Sequence, residues 1–200
     1  MHDAPYVPLY AFPGTAEWES KQFEISGRGS LNGNAEGSFL ELEYRVRERV
    51  AGGLDAVIFP EDLRQGERRD GLWQHLCFEA FFSGVPVDEK ARTKPSNGQP
   101  YFEWNASSSG DWNLYSFENY REGMAGVGLE LDPVLTFHRR EGEYFARCRI
   151  PVPAIIGRKL LLSLAVVFET RLGLSYWSTA HEGEAPDFHL AASRQMIVGA

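Results

Sequence analysis

Alternation of apolar and charged residues is the dominant pattern of this chain. It is clearest in residues 38–47, where Leu40, Leu42, Tyr44 and Val46 alternate with polar or charged side chains. Because successive side chains of a β-strand point to opposite faces, the pattern predicts a strand with one face buried and one face exposed.

Similar segments recur along the chain, and Gly, Pro, Asn and Asp separate them. Further strands are predicted at residues 72–82, 101–106, 112–118, 134–139, 144–150, 160–169, 174–180 and 188–198. Turn residues at 107–111 and 140–143 predict two hairpins. No long apolar stripe with helical spacing is present. The pattern therefore predicts one all-β domain over residues 1–200, an antiparallel β-sandwich.

Residues 83–100 interrupt this pattern. They are polar and rich in Pro, Lys and Gly, and they separate two of the predicted strands. A long segment of this composition predicts an exposed loop.

Composition and charge limit the classes of molecule that the chain is expected to bind. The formal net charge is -8, which argues against binding to nucleic acid or to an anionic membrane surface. No apolar run approaches the ~20 residues of a membrane span. The first residues lack the basic and apolar regions of a signal peptide, so a cytoplasmic location is expected. In that compartment Cys77 and Cys148 are expected to be buried free thiols.

The two faces of the strand at 72–82 differ in character. One face is wholly apolar and is expected to point into the core; it carries Leu76, Phe78, Ala80 and Phe82. The opposite face is mixed and carries His75, Cys77, Glu79 and Phe81. Extending this assignment to the next two strands predicts that polar side chains collect on the face away from the core.

Strand pairing brings these polar residues into rows. The hairpin at 107–111 sets Asn105 opposite Asn113 and Glu103 opposite Tyr115. Antiparallel pairing of 72–82 with 101–106 is expected to place Glu79 opposite Glu103. Directly opposed residues have Cβ atoms about 4.5–5.5 Å apart, so the prediction is a compact polar patch with an aromatic edge.

Several ordered motifs in these strands resemble those of a known family. They are Leu72-Trp73-Gln74, Cys77-Phe78-Glu79-Ala80-Phe81, Tyr101-Phe102-Glu103-Trp104-Asn105, Ser109-Gly110-Asp111-Trp112-Asn113-Leu114-Tyr115, Tyr120-Arg121-Glu122-Gly123-Met124, Ser175-Tyr176-Trp177 and Pro186-Asp187-Phe188-His189. Over roughly residues 38–198 they resemble the bacterial DOMON-like domains, which are grouped with family 9 carbohydrate-binding modules. The resemblance implies a jelly-roll-like sandwich in a superfamily whose members bind sugars or haem.

Sugar recognition requires flat aromatic faces and planar polar groups. Trp73, Tyr115 and Trp177 are the candidate stacking platforms, and Trp177 resembles the late tryptophan that family 9 modules use for stacking. The predicted hydrogen-bonding residues are Glu79, Glu103, Asn105, Asn113, Arg121 and His181. The expected function is a non-catalytic module that binds a saccharide or another small polar ligand, with no cofactor.

Structural roles compete with these assignments. The aromatic residues can be core residues, and Arg121 can form an ion pair with Glu79 or Glu103. A haem-binding domain with Met124 and His181 as ligands is one functional alternative. A glycoside-processing enzyme with Glu79 and Glu103 as its acid and base is another. The sequence leaves the oligomeric state open.

Overall fold

The computed structural model describes residues 4–34, 37–60, 66–85, 96–152 and 159–199. The strands in these ranges are β1 Val7–Ala11, β2 Phe23–Asn34, β3 Gly37–Glu48, β4 Cys77–Gly84, β5 Tyr101–Ser107, β6 Trp112–Phe117, β7 Ala125–Gly126, β8 Val134–Arg140, β9 Glu143–Val152, β10 Lys159–Thr170, β11 Gly173–Ser178 and β12 Met196–Gly199. In the same ranges, helical structure is confined to the single turn α1 Glu19–Gln22 and to the short 3-10 turns Gly53–Ala56, Leu72–Gln74 and Ala191–Ser193.

All strand pairs are antiparallel, and most strands follow one continuous path. The order is β7-β6-β5-β4-β10-β11-β1-β2-β3-β9-β8, with β12 beside β10. Strand β1 joins the two layers, because its first residues pair with β2 and its last residues pair with β11. The curled sheet forms an antiparallel β-sandwich, which confirms the predicted fold class.

The main core fills the space between the two layers. The predicted apolar face of β4 lies in this core, together with the apolar faces of β5 and β6. Phe78 stacks on Tyr144, with ring centroids 6.0 Å apart, and the Tyr44 hydroxyl donates a hydrogen bond to the Glu79 carbonyl. Cys77 and Cys148 are buried free thiols, as predicted.

Several boundaries differ from the sequence-based expectation, and the last strand, predicted at 188–198, is only the short β12 Met196–Gly199. Residues 72–76, predicted as the start of a strand, form a 3-10 turn at Leu72–Gln74 and then lead into β4 at Cys77. The loop predicted at 83–100 starts later than expected, because β4 continues to Gly84, and residues 86–95 of this loop lie outside the described part of the chain. No described helix is both long enough and apolar enough to span a membrane.

Strand β2 was not predicted, because glycine is depleted in strands. The structure shows why glycine occurs here. A Cβ atom on Gly29 would lie 2.5 Å from Leu162 Cδ2, and one on Gly27 would lie 2.8 Å from Leu164 Cδ1. The two layers therefore approach each other so closely at β2 that only hydrogen fits at these positions.

Gly29→Ala is accordingly expected to lower the free energy of unfolding by about 1–3 kcal/mol, the usual cost of overpacking a core. Gly128→Ala is the matched control, because no heavy atom lies within 4 Å of its added Cβ. Urea denaturation of both variants measures the difference. Equal effects at the two positions would contradict the close packing of β2 against β10.

Candidate functional site

The polar face of β4, β5 and β6 is covered rather than open to solvent. A second cluster of buried apolar residues lies on this face, and Phe188 from the C-terminal segment packs onto it. Glu79, Glu103 and Asn105 are consequently buried. The sequence placed these residues on the correct face but gave no indication of this cover.

The predicted register between β4 and β5 is wrong by two residues. Glu79 pairs with Asn105, and Phe81 pairs with Glu103. A shift of two residues leaves every side chain on its predicted face, because the side-chain period of a strand is also two. The register across the hairpin is confirmed, with Asn105 opposite Asn113. Glu79 and Glu103 are therefore diagonal neighbours, a relation that usually separates Cα atoms by about 7–8 Å.

A slot of about 360 Å³ opens on this face. Its aromatic lining includes Trp73 from the 3-10 turn before β4 and Tyr176 from β11. Glu79, Glu103 and Arg121 contribute its charged lining. The volume lies within the range of about 300–1,000 Å³ that is typical of small-molecule sites.

Trp73 is held at the slot by a hydrogen-bonded network. Its ring meets Tyr115 edge-on at 6.1 Å, and 38% of the residue remains exposed. Asp70 Oδ1 accepts hydrogen bonds from Tyr115 (2.6 Å) and from Asn113 Nδ2 (2.9 Å). Gly71 then turns the chain with φ +74°, a conformation that favours glycine. Asn113 and Tyr115 do not line the slot; they fix the segment that presents Trp73.

Trp177 does not lie at the slot. It is 4% exposed, its indole packs edge-on against Phe168 in the main core, and Nε1 donates to Ser175 Oγ at 3.0 Å. The predicted stacking role for Trp177 therefore needs correction. Because neighbouring residues of a strand face opposite ways, Tyr176 is the aromatic residue that β11 presents to the slot.

The two carboxyl groups have different surroundings. Glu79 is 3% exposed, and its Oε1 has no hydrogen-bond partner among the described residues. Burial, followed by repulsion from Glu103, raises the pKa of Glu79 well above its usual value. Glu103 Oε1 accepts a hydrogen bond from Asn105 Nδ2 at 2.7 Å. Burial also raises the pKa of Glu103, so the pair favours retaining a proton.

Arg121 forms its ion pair elsewhere than predicted. Its Nη2 lies 3.0 Å from Asp187 Oδ1, so the expected pairing with Glu79 or Glu103 is wrong. The backbone of Arg121 is left-handed, with φ 55°. Tyr120 also donates a hydrogen bond to Asp187. Burial acts to raise the pKa of Asp187, but the hydrogen bonds that its carboxylate accepts from Tyr120 and Arg121 outweigh burial and lower this pKa.

Comparison with solved structures identifies the fold of the chain. The chain is similar to a family 9 carbohydrate-binding module from Caldicellulosiruptor kristjanssonii in complex with cellotriose, with a TM-score of 0.54 and 11% identity over 98% of this chain and 81% of that chain. The fold is that of a family 9 carbohydrate-binding module. A family 9 module from the same organism in complex with glucose aligns with a TM-score of 0.45 and 11% identity, over 96% of this chain and 83% of that chain. No protein-family profile and no curated protein sequence matches the chain.

In this family 9 fold, the C-terminal segment adds a histidine that sequence reasoning did not assign to the site. His189 lines the slot, and its Nδ1 lies 2.8 Å from the Tyr101 hydroxyl. Burial and the nearby positive charge of Arg121 lower its pKa to about 4, so the ring is neutral at pH 7. In the sequence, only the position of His189 in the family-like motif at 186–189 indicated a role at the site.

Only one of the two residues proposed as haem ligands lines the slot. Met124 lines the slot, whereas His181 does not. His181 Nε2 instead lies 2.7 Å from the Tyr10 carbonyl, and its ring packs edge-on against Phe12. Across the described ranges, no three His, Cys, Asp or Glu side chains are grouped as metal ligands would be. His181 is therefore positioned as a structural residue, contrary to its predicted role at the site.

Proposed function

We propose that the slot binds a saccharide unit and that the chain is a non-catalytic binding module. The observation that carries the proposal is the buried carboxyl group of Glu79, which lines the slot and has no partner at Oε1 in the described part of the chain. A buried polar group without a hydrogen bond costs about 1–3 kcal/mol, so a ligand that donates one gains an advantage. Sugar hydroxyl groups are donors of this kind.

The aromatic lining supports the same choice of ligand. Trp73 and Tyr176 provide flat apolar surfaces for the C–H groups of a sugar ring. Because the Trp73 ring already packs against Tyr115, which is itself fixed by its hydrogen bond to Asp70, less side-chain entropy remains to be lost on binding. Glu103 and Arg121 supply further hydrogen-bonding groups within the same slot.

The fold comparison suggests where to begin the search for the ligand. The similar family 9 module was solved in complex with cellotriose, so glucose-based oligosaccharides are the first candidates. A small open site must first overcome the lost translational and rotational freedom of its ligand. We therefore expect dissociation constants from micromolar to millimolar, equivalent to about 4–8 kcal/mol.

Isothermal titration calorimetry with glucose, cellotriose, maltotriose, galactose and mannose tests this proposal. At least one of these sugars is expected to bind the parent protein saturably. Tyr176→Ala should weaken that binding about tenfold through loss of the stacking surface, whereas Tyr176→Phe should retain most of it. If no sugar binds, or if Tyr176→Ala binds as tightly as the parent, the proposal fails.

Glycoside hydrolysis is a second candidate function, because both carboxyl groups line the slot and both have raised pKa values. Such a pair can divide the roles of acid and base. Release of nitrophenol from nitrophenyl glycosides, lost in both Glu79→Gln and Glu103→Gln, would replace the binding proposal with an enzymatic one. Binding without turnover would retain the binding proposal.

A further inference from the structure

The slot holds two buried carboxyl groups that can ionise when a cation binds beside them. Nowhere in the described residues does a Lys or Arg side chain form an ion pair with Glu79 or Glu103. Arg121 is the cation in the lining, and it is already paired with Asp187. His189 Nε2 lies 3.8 Å from Glu103 Oε2, but its pKa of about 4 leaves the ring uncharged.

The remaining ionisable groups around the slot add little positive charge. On β4, the Cys77 thiol lies beside Glu79, and burial raises its pKa well above the usual value, so it stays neutral. Beyond the slot, Tyr115 donates its hydroxyl hydrogen to Asp70, which is a further acid. Arg194 is buried behind the site, where it lies over the Tyr101 ring at 4.7 Å. Its guanidinium also donates a hydrogen bond to the His189 carbonyl at 3.2 Å, and its charge helps to keep the His189 ring neutral.

Aromatic rings surround these carboxyl groups. Trp73, Tyr176, Phe117 and Phe188 all line the slot. The face of an aromatic ring attracts a cation, and the attraction is strongest for tryptophan and in desolvated sites. Carboxylates combined with aromatic faces are therefore suited to an ammonium group.

We propose that the slot prefers a sugar that carries a protonated amino group over a neutral sugar of the same shape. This inference rests on the proposed function and specifies its ligand class. The ammonium group donates a hydrogen bond to Glu79 Oε1, the atom that lacks a partner within the described ranges. The carboxyl groups release a proton to solvent as the cation binds, so charge in the slot is conserved.

Calorimetry with glucosamine, glucose and N-acetylglucosamine at pH 6.5 tests this preference. Glucosamine carries the cation, and N-acetylglucosamine is the neutral ligand with a substituent at the same carbon. Glucosamine is expected to bind about tenfold more tightly than glucose. N-acetylglucosamine should bind no more tightly than glucose. Equal affinities for glucosamine and glucose would overturn the inference.

Two variants localise the effect. Glu79→Gln keeps the shape of the side chain but removes its ability to ionise when the cation binds, and it should bring the ratio of glucosamine to glucose affinity close to one. Glu41→Gln is the control, because Glu41 lies on strand β3 outside the slot and is half exposed. It removes one carboxyl group in the same way and should leave the ratio unchanged. A ratio that falls equally in both variants would mean that net charge, rather than Glu79, creates the preference.

A second measurement does not depend on the folding of any variant. The enthalpy of glucosamine binding to the parent protein should change with the ionisation enthalpy of the buffer, because a proton leaves the carboxyl pair. The enthalpy of glucose binding should not change. If glucosamine also shows no buffer dependence, the proposed ion pair is wrong. If glucose binds and glucosamine has no advantage, this inference fails and the proposed function stands; if no sugar binds, both fail.

Discussion

Replacing Phe78 with alanine is expected to lower the free energy of unfolding by about 3–5 kcal/mol, the usual cost of removing a buried phenylalanine ring. Phe78 is 0% exposed and lies at the centre of an aromatic group. Its ring stacks on Tyr144 and contacts Tyr44 with centroids 5.3 Å apart. The alanine variant leaves a cavity that these rings cannot fill. Urea denaturation measures the loss.

The control for this prediction is Leu172→Ala. Leu172 lies in the turn between β10 and β11 and is 69% exposed. Its truncation should change the free energy of unfolding by no more than about 0.5 kcal/mol. Similar losses in the two variants would show that the inner face of β4 has been assigned incorrectly.

Acid is expected to destabilise the protein through His189. The pKa of this residue is about 4 in the folded protein, against 6.5 for an unperturbed histidine, because burial disfavours the charged ring. The unfolded chain therefore binds the proton more strongly between these values, and the stability present above pH 6.5 is lost as the pH falls towards 4. At about 1.4 kcal/mol per pKa unit, the loss approaches about 3 kcal/mol.

A His189→Gln variant isolates this contribution. Other groups titrate in the same range: the raised pKa values of Glu79 and Glu103 act in the opposite direction, since protonation in acid relieves their burial. Subtracting the free energy of unfolding of the variant from that of the parent removes these shared terms. The difference should fall by about 3 kcal/mol between pH 7 and pH 4. A difference that is constant with pH would show that His189 is not buried as a neutral ring.

The fold was accessible from sequence because its strands alternate regularly. The period of two assigned both faces of β4 correctly, and the turn residues at 107–111 and 140–143 located two hairpins. Strand β2 was not predicted because its glycines are needed for packing against residues distant in sequence. Leu162 and Leu164 of the other layer leave no room for a side chain at these positions. A pattern of neighbouring residues in the sequence cannot show that two layers of the fold pack this closely.

The site was accessible only in part. Trp73, Glu79, Glu103 and Arg121 do meet at one slot, as the face argument and the family resemblance implied. Strand β11 was harder to assign, because aromatic residues occupy both of its faces and Trp177 follows Tyr176 directly.

The rest of the site depends on contacts between segments that are distant in sequence. Phe188 and His189 reach the slot only because the C-terminal segment folds back across β4 and β5. Asp187 takes Arg121 as its partner for the same reason. The alternation of apolar and polar residues along a strand cannot predict which distant segment will pack across that strand.

The indole N–H resonances of the five tryptophans provide the most direct test of the central claim, that the slot beside Trp73 binds sugar. A titration of ¹⁵N-labelled protein with cellotriose should shift the Trp73 resonance in a saturable manner. The resonances of Trp104 and Trp177, which are buried in the main core, should stay in place. If the protein binds cellotriose while the Trp73 resonance remains fixed, or if only Trp177 responds, the sugar binds elsewhere and the proposed site is wrong.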